Sequence, residues 1–386
     1  MFVWKPAGDK EVRGAIVVCS VSEAFVSHVA RCMHSLSFFQ GYLDSMTYVF
    51  SAWASEYTRL GLLVVGFNQP GMGSPGTPGL CEAWTKYIDN VLFATDTAVR
   101  LLGGTWTAAG HPDVPVFIYG QSMGGALAIE AARRRPNAYR GVILSSPMCG
   151  IAPDAIPNGC SIAMLRCMEA LAPTAALVPQ EDILARCFKC EAQIKRVRAR
   201  ADEIGYPKQP LLRTGVQLFD ATQDIQAHVA DFAPPSVLLI QGSLDKVTDG
   251  QLTREYIEGC GAGDKTYITY KNAWHALEWE PVDTRMALIH DLTYWVAARV
   301  DAWEGANAAL AAALRGRAAV SVQAWGTKRQ PAPNASLVSP ELTRSVAHWP
   351  ATVFPGSTPA GDSAMAWREE GGGAVGGARG GRGHDP

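Results

Sequence analysis

The chain has 386 residues, of which 48% are hydrophobic and 18% are charged, and its formal net charge is −2. This length and hydrophobic content are sufficient for a substantial buried core. A net charge so close to zero provides no overall field that would favour binding to nucleic acid or to an anionic membrane.

Strands and helices alternate through two parts of the chain, which predicts a doubly wound, mostly parallel α/β sheet. Strands are predicted near 14–19, 62–67, 115–119, 141–146, 236–241 and 266–270, and helices near 47–60, 82–102, 122–135, 250–259 and 282–303. Between Met148 and His228 the alternation stops and helical stretches replace it. We therefore assign residues 1–147 and 229–304 to an α/β core and residues 148–228 to an inserted helical lid.

A G-x-S-x-G motif within residues 118–125 marks the end of a predicted strand. Such a turn exposes a serine at a sharp strand-to-helix bend, with a backbone N–H beside it. Gly120 and Gly124 flank Ser122 at positions where a side chain would collide with the neighbouring strand or helix. The motif alone also fits a purely structural tight turn, but the strand before it and the helix after it favour a nucleophilic Ser122.

A nucleophilic serine needs a base and an acid, which this fold class supplies in the chain order serine, acid, histidine. Asp245 and His275 each follow a predicted strand, in loops at the carboxyl ends where open α/β sheets place their sites. Asp245 could instead cap the next helix, a role for which Asp249 is better placed, and His275 could be an ordinary loop histidine. We predict the triad Ser122, Asp245 and His275, which needs no metal and no organic cofactor.

Several segments together resemble the monoacylglycerol lipase and lysophospholipase branch of the α/β-hydrolases, particularly its plant and algal members. The matching segments are residues 66–76, 119–125, 145–149, 177–179, 182–183, 221–225, 245–249 and 274–277. The resemblance implies the α/β-hydrolase fold and hydrolysis of a long-chain acyl ester of glycerol or of a lysophospholipid. It also implies a mobile lid between the sixth strand and the strand that bears the acid.

Three positions depart from the family pattern. Ser20 stands where the family has histidine, Asn68 replaces an aspartate and Met72 replaces the histidine of Gly-His-Gly. Two alternatives are open. The chain could be a small-molecule or phenylpropanoid esterase, or an acyltransferase, with the same triad. The three changes, together with the insertion described next, also fit a catalytically impaired α/β-hydrolase that serves as a binding module.

The loop after the first core strand contains an apparent insertion, residues 21–40, which we interpret as a retained in-frame intron or a recent insertion. Without it, Ser20 would join Gly41, and the backbone N–H of Tyr42 would act with that of Met123 as an oxyanion donor. A misplaced oxyanion donor costs roughly 100- to 1000-fold in rate. The fold could survive the insertion while catalysis suffers, because loop-closure entropy grows only logarithmically with length.

The predicted lid has more apolar residues than one small helix face needs to pack onto the core. We expect contact with a lipid-like ester, and transient contact with a membrane surface, from Ile162, Met164, Leu165, Met168, Leu171 and Leu177. Packing of these residues onto the core is the alternative. The C-x-x-C pair, Cys187 and Cys190, fits ordinary lid packing better than a metal or redox site.

The ends of the chain carry less information. Residues 1–10 are too few and too polar for a signal peptide, and no apolar run reaches the roughly 18 residues of a membrane span. The nine scattered cysteines fit reduced thiols in a cytoplasmic protein. Residues 305–386 are rich in Pro, Gly, Ser and Ala and predict a low-complexity, disordered tail, although Ala306–Ala319 could extend a helix.

Overall fold

The computed structural model describes residues 2–6, 12–19, 54–55, 57–74, 76–151, 156, 158–178 and 182–317. Three predicted features lie outside these residues: the insertion at 21–40 with its neighbours Ser20 and Tyr42, most of the predicted helix at 47–60, and the tail beyond residue 317. The structural account that follows concerns the core and the lid.

The strands in the described part of the chain are β1 (Phe2–Trp4), β2 (Gly14–Cys19), β3 (Leu62–Phe67), β4 (Gln69–Pro70), β5 (Gly73–Ser74), β6 (Val116–Gln121), β7 (Gly141–Ser145), β8 (Ser236–Gly242) and β9 (Asp264–Tyr270). Seven of these strands form the sheet at the centre of the fold, in the order β1-β3-β2-β6-β7-β8-β9. Only β1 pairs antiparallel within this sheet, and β4 and β5 form a small separate sheet. Strands β3, β6, β7 and β8 are buried along their whole length, as parallel strands covered on both faces must be.

Helices cover both faces of the sheet. They are α1 (Trp84–Leu101), α2 (Met123–Arg134), α3 (Gly159–Leu171), α4 (Ile183–Cys187), α5 (Glu191–Ile204), α6 (Leu212–Ala227), α7 (Gly250–Gly259) and α8 (Val282–Arg317). Alternate residues of β2 belong to different buried clusters: Val17 is in the cluster that includes residues of α1, α2 and α7, and Ile16 is in the cluster that includes residues of α8. This confirms the predicted doubly wound, mostly parallel α/β sheet with an inserted helical lid.

Two details of the elements differ from the predictions. The short strands β1, β4 and β5 were not predicted, because two or three residues carry no recognisable alternation. The last helix, predicted to end near 303, continues to Arg317, so the segment assigned to a disordered tail from residue 305 begins in a helix. Residues 306–313 are mostly alanine, the strongest helix former, and the helix extension that Ala306–Ala319 allowed is present as far as Arg317.

Helix α6, in the segment predicted as the lid, is bonded to the core. Thr214 of α6 donates its hydroxyl to the carbonyl of Gly79 at 2.7 Å and accepts the N–H of Cys81 at 2.9 Å. Gln217 Oε1 accepts the N–H of Trp84, the first residue of α1, at 2.7 Å, which satisfies one of the free donors of that helix end. Helix α6 is therefore a fixed element of the core, whereas α3 has no buried residue.

A partly buried ionic chain also joins α6 to α2. Arg133 of α2 donates to Asp224 of α6 at 2.7 Å and to Glu130, one turn away, at 3.2 Å. Burial raises the pKa of Glu130 to about 7, and the nearby Arg133 opposes that shift only in part. The folded protein therefore binds a proton at Glu130 more tightly than the unfolded chain does, which favours folding only while that proton is retained.

We predict that Glu130→Gln removes a pH-dependent loss of stability. The contribution of Glu130 is fully present below its ordinary pKa of 4.5 and is lost as pH rises toward about 7. The difference in unfolding free energy, variant minus wild type, should therefore increase as pH rises across this range, by on the order of 1–3 kcal/mol. Urea unfolding at a series of pH values measures the difference, with the exposed Glu255→Gln as control. Parallel curves for wild type and Glu130→Gln would contradict this account.

Candidate active site

Ser122 lies at the turn between β6 and α2 in a strained backbone conformation, with φ 54° and ψ −120°. A positive φ is unfavourable for a residue with a Cβ and persists only where the surroundings impose it. The N–H of Ser122 donates to the carbonyl of Ser145 on β7 at 2.9 Å. Its own carbonyl accepts the N–H groups of Gly125 and Met148, each at 2.9 Å. These bonds hold the half-buried serine at the carboxyl edge of the sheet.

Glycines allow this turn to be so tight. A Cβ placed on Gly120 would collide with the carbonyl group of Gly124, and one placed on Gly125 would collide with the ring of Pro147. The strand before the serine and the helix after it therefore approach closer than side chains would allow. The predicted collision is found at Gly120, and the structure adds Gly125 as a second close approach.

Met123, one of the two predicted oxyanion donors, is the first residue of α2. Its N–H is therefore among the first-turn donors that have no partner within the helix, at the positive end of the helix dipole. This places a backbone donor directly after Ser122. Tyr42, the other predicted donor, lies outside the described residues.

Asp245 and His275 come together at the carboxyl ends of the adjacent strands β8 and β9. The Nδ1 atom of His275 lies 2.9 Å from Oδ2 and 3.2 Å from Oδ1 of Asp245. The side chain of His275 is only 3% exposed and that of Asp245 only 2%. Because an ionised carboxylate can only accept, Nδ1 carries the proton, which leaves Nε2 of a neutral ring as an acceptor.

Four further donors surround the carboxylate of Asp245. The N–H groups of Val247 and Thr248 donate to Oδ1 at 2.8 and 3.1 Å, and Gln241 Nε2 and the hydroxyl of Thr248 donate to Oδ2 at 2.7 and 2.9 Å. Burial by itself raises the pKa of Asp245, but the charge and hydrogen bond of His275 and the two backbone donors outweigh burial and lower it. Asp245 is therefore held as a carboxylate beside the imidazole.

The alternative role of Asp245 as a helix cap is taken by another residue. Asp249 caps α7, with its Oδ1 accepting the N–H groups of Gln251 and Leu252 at 2.8 and 3.1 Å. The structure thus brings two of the three predicted triad residues into contact and places Ser122 on its turn. Among the described residues, no hydrogen bond joins Ser122 Oγ to His275, and such bonds often form only when substrate is bound.

Glu278 is a buried acid near the site that the sequence did not indicate. It lies three residues after His275 in the short helical turn Leu277–Trp279 and is fully buried. Its Oε1 accepts the hydroxyl of Tyr119 on β6 at 2.6 Å and that of Ser145 on β7 at 3.3 Å. Burial raises the pKa of Glu278, although these two hydroxyls and the nearby His275 oppose the shift. Glu278 thus connects the His275 loop to the strands that hold Ser122.

The remaining candidate sites lack the features of a second centre. A cavity of about 680 Å³ lies at the carboxyl end of α2, the opposite end from Ser122, but its Arg135 is paired with Asp96 at 2.6 Å. In the described part of the chain, no group of three or more His, Cys, Asp or Glu residues is arranged to hold a metal ion. Cys187 and Cys190 are free thiols, and burial raises the pKa of Cys187 to about 12. No described helix is long and apolar enough to cross a bilayer.

Comparison with known proteins identifies relatives of this chain. The family described as serine aminopeptidase, S33, matches residues 34–282. Monoglyceride lipase of Rattus norvegicus is 26% identical over 307 residues, which cover 77% of this chain and 86% of the relative. Caffeoylshikimate esterase of Arabidopsis thaliana is 24% identical over 192 residues, covering 49% of this chain and 57% of the relative. The structure of a soluble variant of monoglyceride lipase from Saccharomyces cerevisiae, in complex with a substrate analogue, aligns with a TM-score of 0.57 at 17% identity, covering 77% of this chain and 90% of that one.

We predict that Tyr119→Phe destabilises the fold by about 1–3 kcal/mol, because it removes the closer of the two hydroxyl donors to the buried Glu278. Urea unfolding of wild type and variant measures this loss. Tyr294→Phe is the matched control, since Tyr294 is 71% exposed and its change should stay within about 0.5 kcal/mol. Equal effects of the two substitutions would mean that the Tyr119–Glu278 bond contributes nothing to stability.

Proposed function

We propose that this chain, which belongs to the serine aminopeptidase S33 family, cleaves acyl esters of glycerol or of lysophospholipids. The premise is that it is a carboxylic ester hydrolase of the α/β-hydrolase fold. The observation that carries the proposal is the buried Asp245–His275 pair at the same sheet edge as a strained, half-buried Ser122. The monoglyceride lipases among its relatives support the choice of substrate class.

The proposed reaction is acyl transfer through Ser122. His275 takes the proton from Ser122 Oγ as the oxygen attacks the ester carbonyl, and Asp245 holds the imidazole in the required tautomer and stabilises the imidazolium that forms. The N–H groups of Met123 and Tyr42 donate hydrogen bonds to the carbonyl oxygen as negative charge develops on it. His275 then protonates the leaving glycerol, and water, activated by the same ring, releases the fatty acid.

The surface of the lid supports a lipid-like substrate. On and just after α3, Met164, Leu171 and Leu177 are 58%, 88% and 50% exposed, and α3 buries none of its residues. Exposed apolar side chains on a lid suit contact with an acyl chain, and methionine adapts to chains of different shape. The proposal therefore includes transient contact of α3 with a membrane surface from which the substrate is drawn.

A small-molecule ester is the second candidate substrate. The observation that favours it is the similarity to caffeoylshikimate esterase, whose name gives a small aromatic ester as its substrate. The same three residues would serve this reaction, or acyl transfer to an acceptor other than water. A catalytically impaired binding protein remains the third possibility, because the fully buried Met72 and the nearby Asn68 replace a histidine and an aspartate of the family pattern.

We predict that a fluorophosphonate probe labels the purified chain and that Ser122→Ala abolishes the labelling. His275→Ala and Asp245→Asn should lower ester hydrolysis by on the order of 10⁴-fold each, because each removes part of the system that activates the serine. Ser161→Ala, at the start of α3, is the control and should label like wild type. A folded wild-type protein that takes up no probe would favour the binding-protein alternative.

We also predict that kcat/KM for monoacylglycerols rises with acyl length and exceeds that for short aryl esters. Each buried methylene contributes up to about 0.8 kcal/mol, or roughly fourfold, until the site is filled. Leu171→Ser should reduce hydrolysis of long-chain substrates while sparing short ones, and Phe93→Ser, an exposed position on α1, should change neither. Faster turnover of short aryl esters would instead assign the chain to the small-molecule esterases.

A further inference from the structure

One lysine of the lid binds both ends of the loop that carries His275. Lys189 lies between α4 and α5, and its Nζ donates to Glu280 Oε2 at 2.6 Å and to the carbonyl of Asn272. We call residues 272–280 the base loop. Lys189 therefore binds the first and the last residue of the base loop at once, with His275 between them.

Glu280 also binds Trp274, the residue before His275. Its other oxygen, Oε1, accepts the N–H of Trp274 at 2.7 Å. The Glu280 side chain is 4% exposed and that of Lys189 is 36% exposed, so the lysine supplies the countercharge for a buried carboxylate. A buried carboxylate that loses such a partner is strongly destabilised, and the groups bonded to it shift.

Helices α4 and α5 make further contacts with the same loop. The N–H of Ala276, the residue after His275, donates to the carbonyl of Cys187 at 3.3 Å. The rings of Phe188 and Trp279 pack edge to face with centroids 5.3 Å apart. Gln193 Nε2 donates to the carbonyl of Trp279 at 3.3 Å. The N–H groups on both sides of His275 are thus bonded either to the lid or to a side chain that the lid neutralises.

On its other side, the base loop is bonded to the loop after β8 that carries Asp245. The N–H of Leu244 donates to the carbonyl of Ala273 at 2.9 Å, and Lys246 Nζ lies 3.9 Å from the centre of the Trp274 ring. Leu244 and Lys246 are the neighbours of Asp245 in sequence. His275 is therefore held between Asp245 and its loop on one side and the α4–α5 segment on the other.

We propose that Lys189 is a positioning residue that fixes His275 for catalysis through Glu280 and Asn272, so that the lid sets the geometry of the base. The proposal rests on the proposed function, because it takes His275 as the base. An ordinary surface ion pair contributes little to stability and would leave catalysis unchanged. A positioning role has a larger effect on rate, since a displacement of about 1 Å at a catalytic group costs on the order of 100-fold.

The test compares Lys189→Met, Lys189→Arg and Lys195→Met. Lys195 is the matched control, because it lies on α5 in an exposed pair with Glu191 at 3.4 Å, away from the base loop. Two readouts are measured: the second-order rate of fluorophosphonate labelling, and kcat and KM for a short soluble ester. Lys189→Met should lower the labelling rate and kcat by roughly 10- to 100-fold with little change in KM, Lys189→Arg should restore most of the loss, and Lys195→Met should match wild type.

The outcomes separate this inference from the proposed function. If folded wild-type protein is not labelled, the proposed function fails. If wild type is labelled and Lys189→Met is labelled at the same rate, the positioning role is overturned while the proposed function stands.

Loss of fold is covered by a double variant. If Lys189→Met unfolds, Glu280→Gln is added, which removes the buried charge that has lost its partner. The double variant should regain stability without regaining the labelling rate, because the bond from Lys189 to Asn272 is still missing. Recovery of both stability and labelling rate would overturn the inference.

Discussion

The buried hydrogen bond between His275 and Asp245 is the constraint on which the rest of the site depends. A carboxylate that is 2% exposed is tolerable only if donors replace its water, and this chain supplies them from its own loop and from the end of β8. The partners are 30 residues apart in sequence and meet because β8 and β9 are adjacent and parallel, with Gly242 opposite Tyr270 where both strands end. Sheet topology, rather than local sequence, therefore creates the pair.

The second constraint is the strained backbone of Ser122, which the core must maintain. Its N–H is bonded to the carbonyl of Ser145, and the hydroxyls of Ser145 and Tyr119 are bonded to Glu278. The strands that hold the serine and the loop that holds the histidine thus share one buried acid. Burial of Glu278 raises its pKa, and the hydroxyl donors oppose that rise only in part.

Much of the site could be predicted because its signals are local. The G-x-S-x-G turn marks Ser122, and the ends of apolar strands mark the loops of Asp245 and His275. Glu278 and Lys189 could not be found in this way. Glu278 binds Tyr119, 159 residues away, and Lys189 binds Glu280, 91 residues away, and no short sequence pattern predicts such distant contacts. The end of α8 was predicted only as an alternative, because the change in composition after Glu304 favoured a tail while Ala306–Ala319 also allowed a longer helix. Tyr42 remains a prediction.

The central claim is that ester hydrolysis proceeds through an acyl group carried on Ser122. Its most direct test is acid quenching of the enzyme during turnover of a long-chain monoacylglycerol, followed by mass spectrometry of the peptides. The account predicts an added fatty-acyl mass on the peptide that contains Ser122, absent from Ser122→Ala. Steady hydrolysis with the acyl group on another residue, or undiminished hydrolysis by Ser122→Ala, would contradict it.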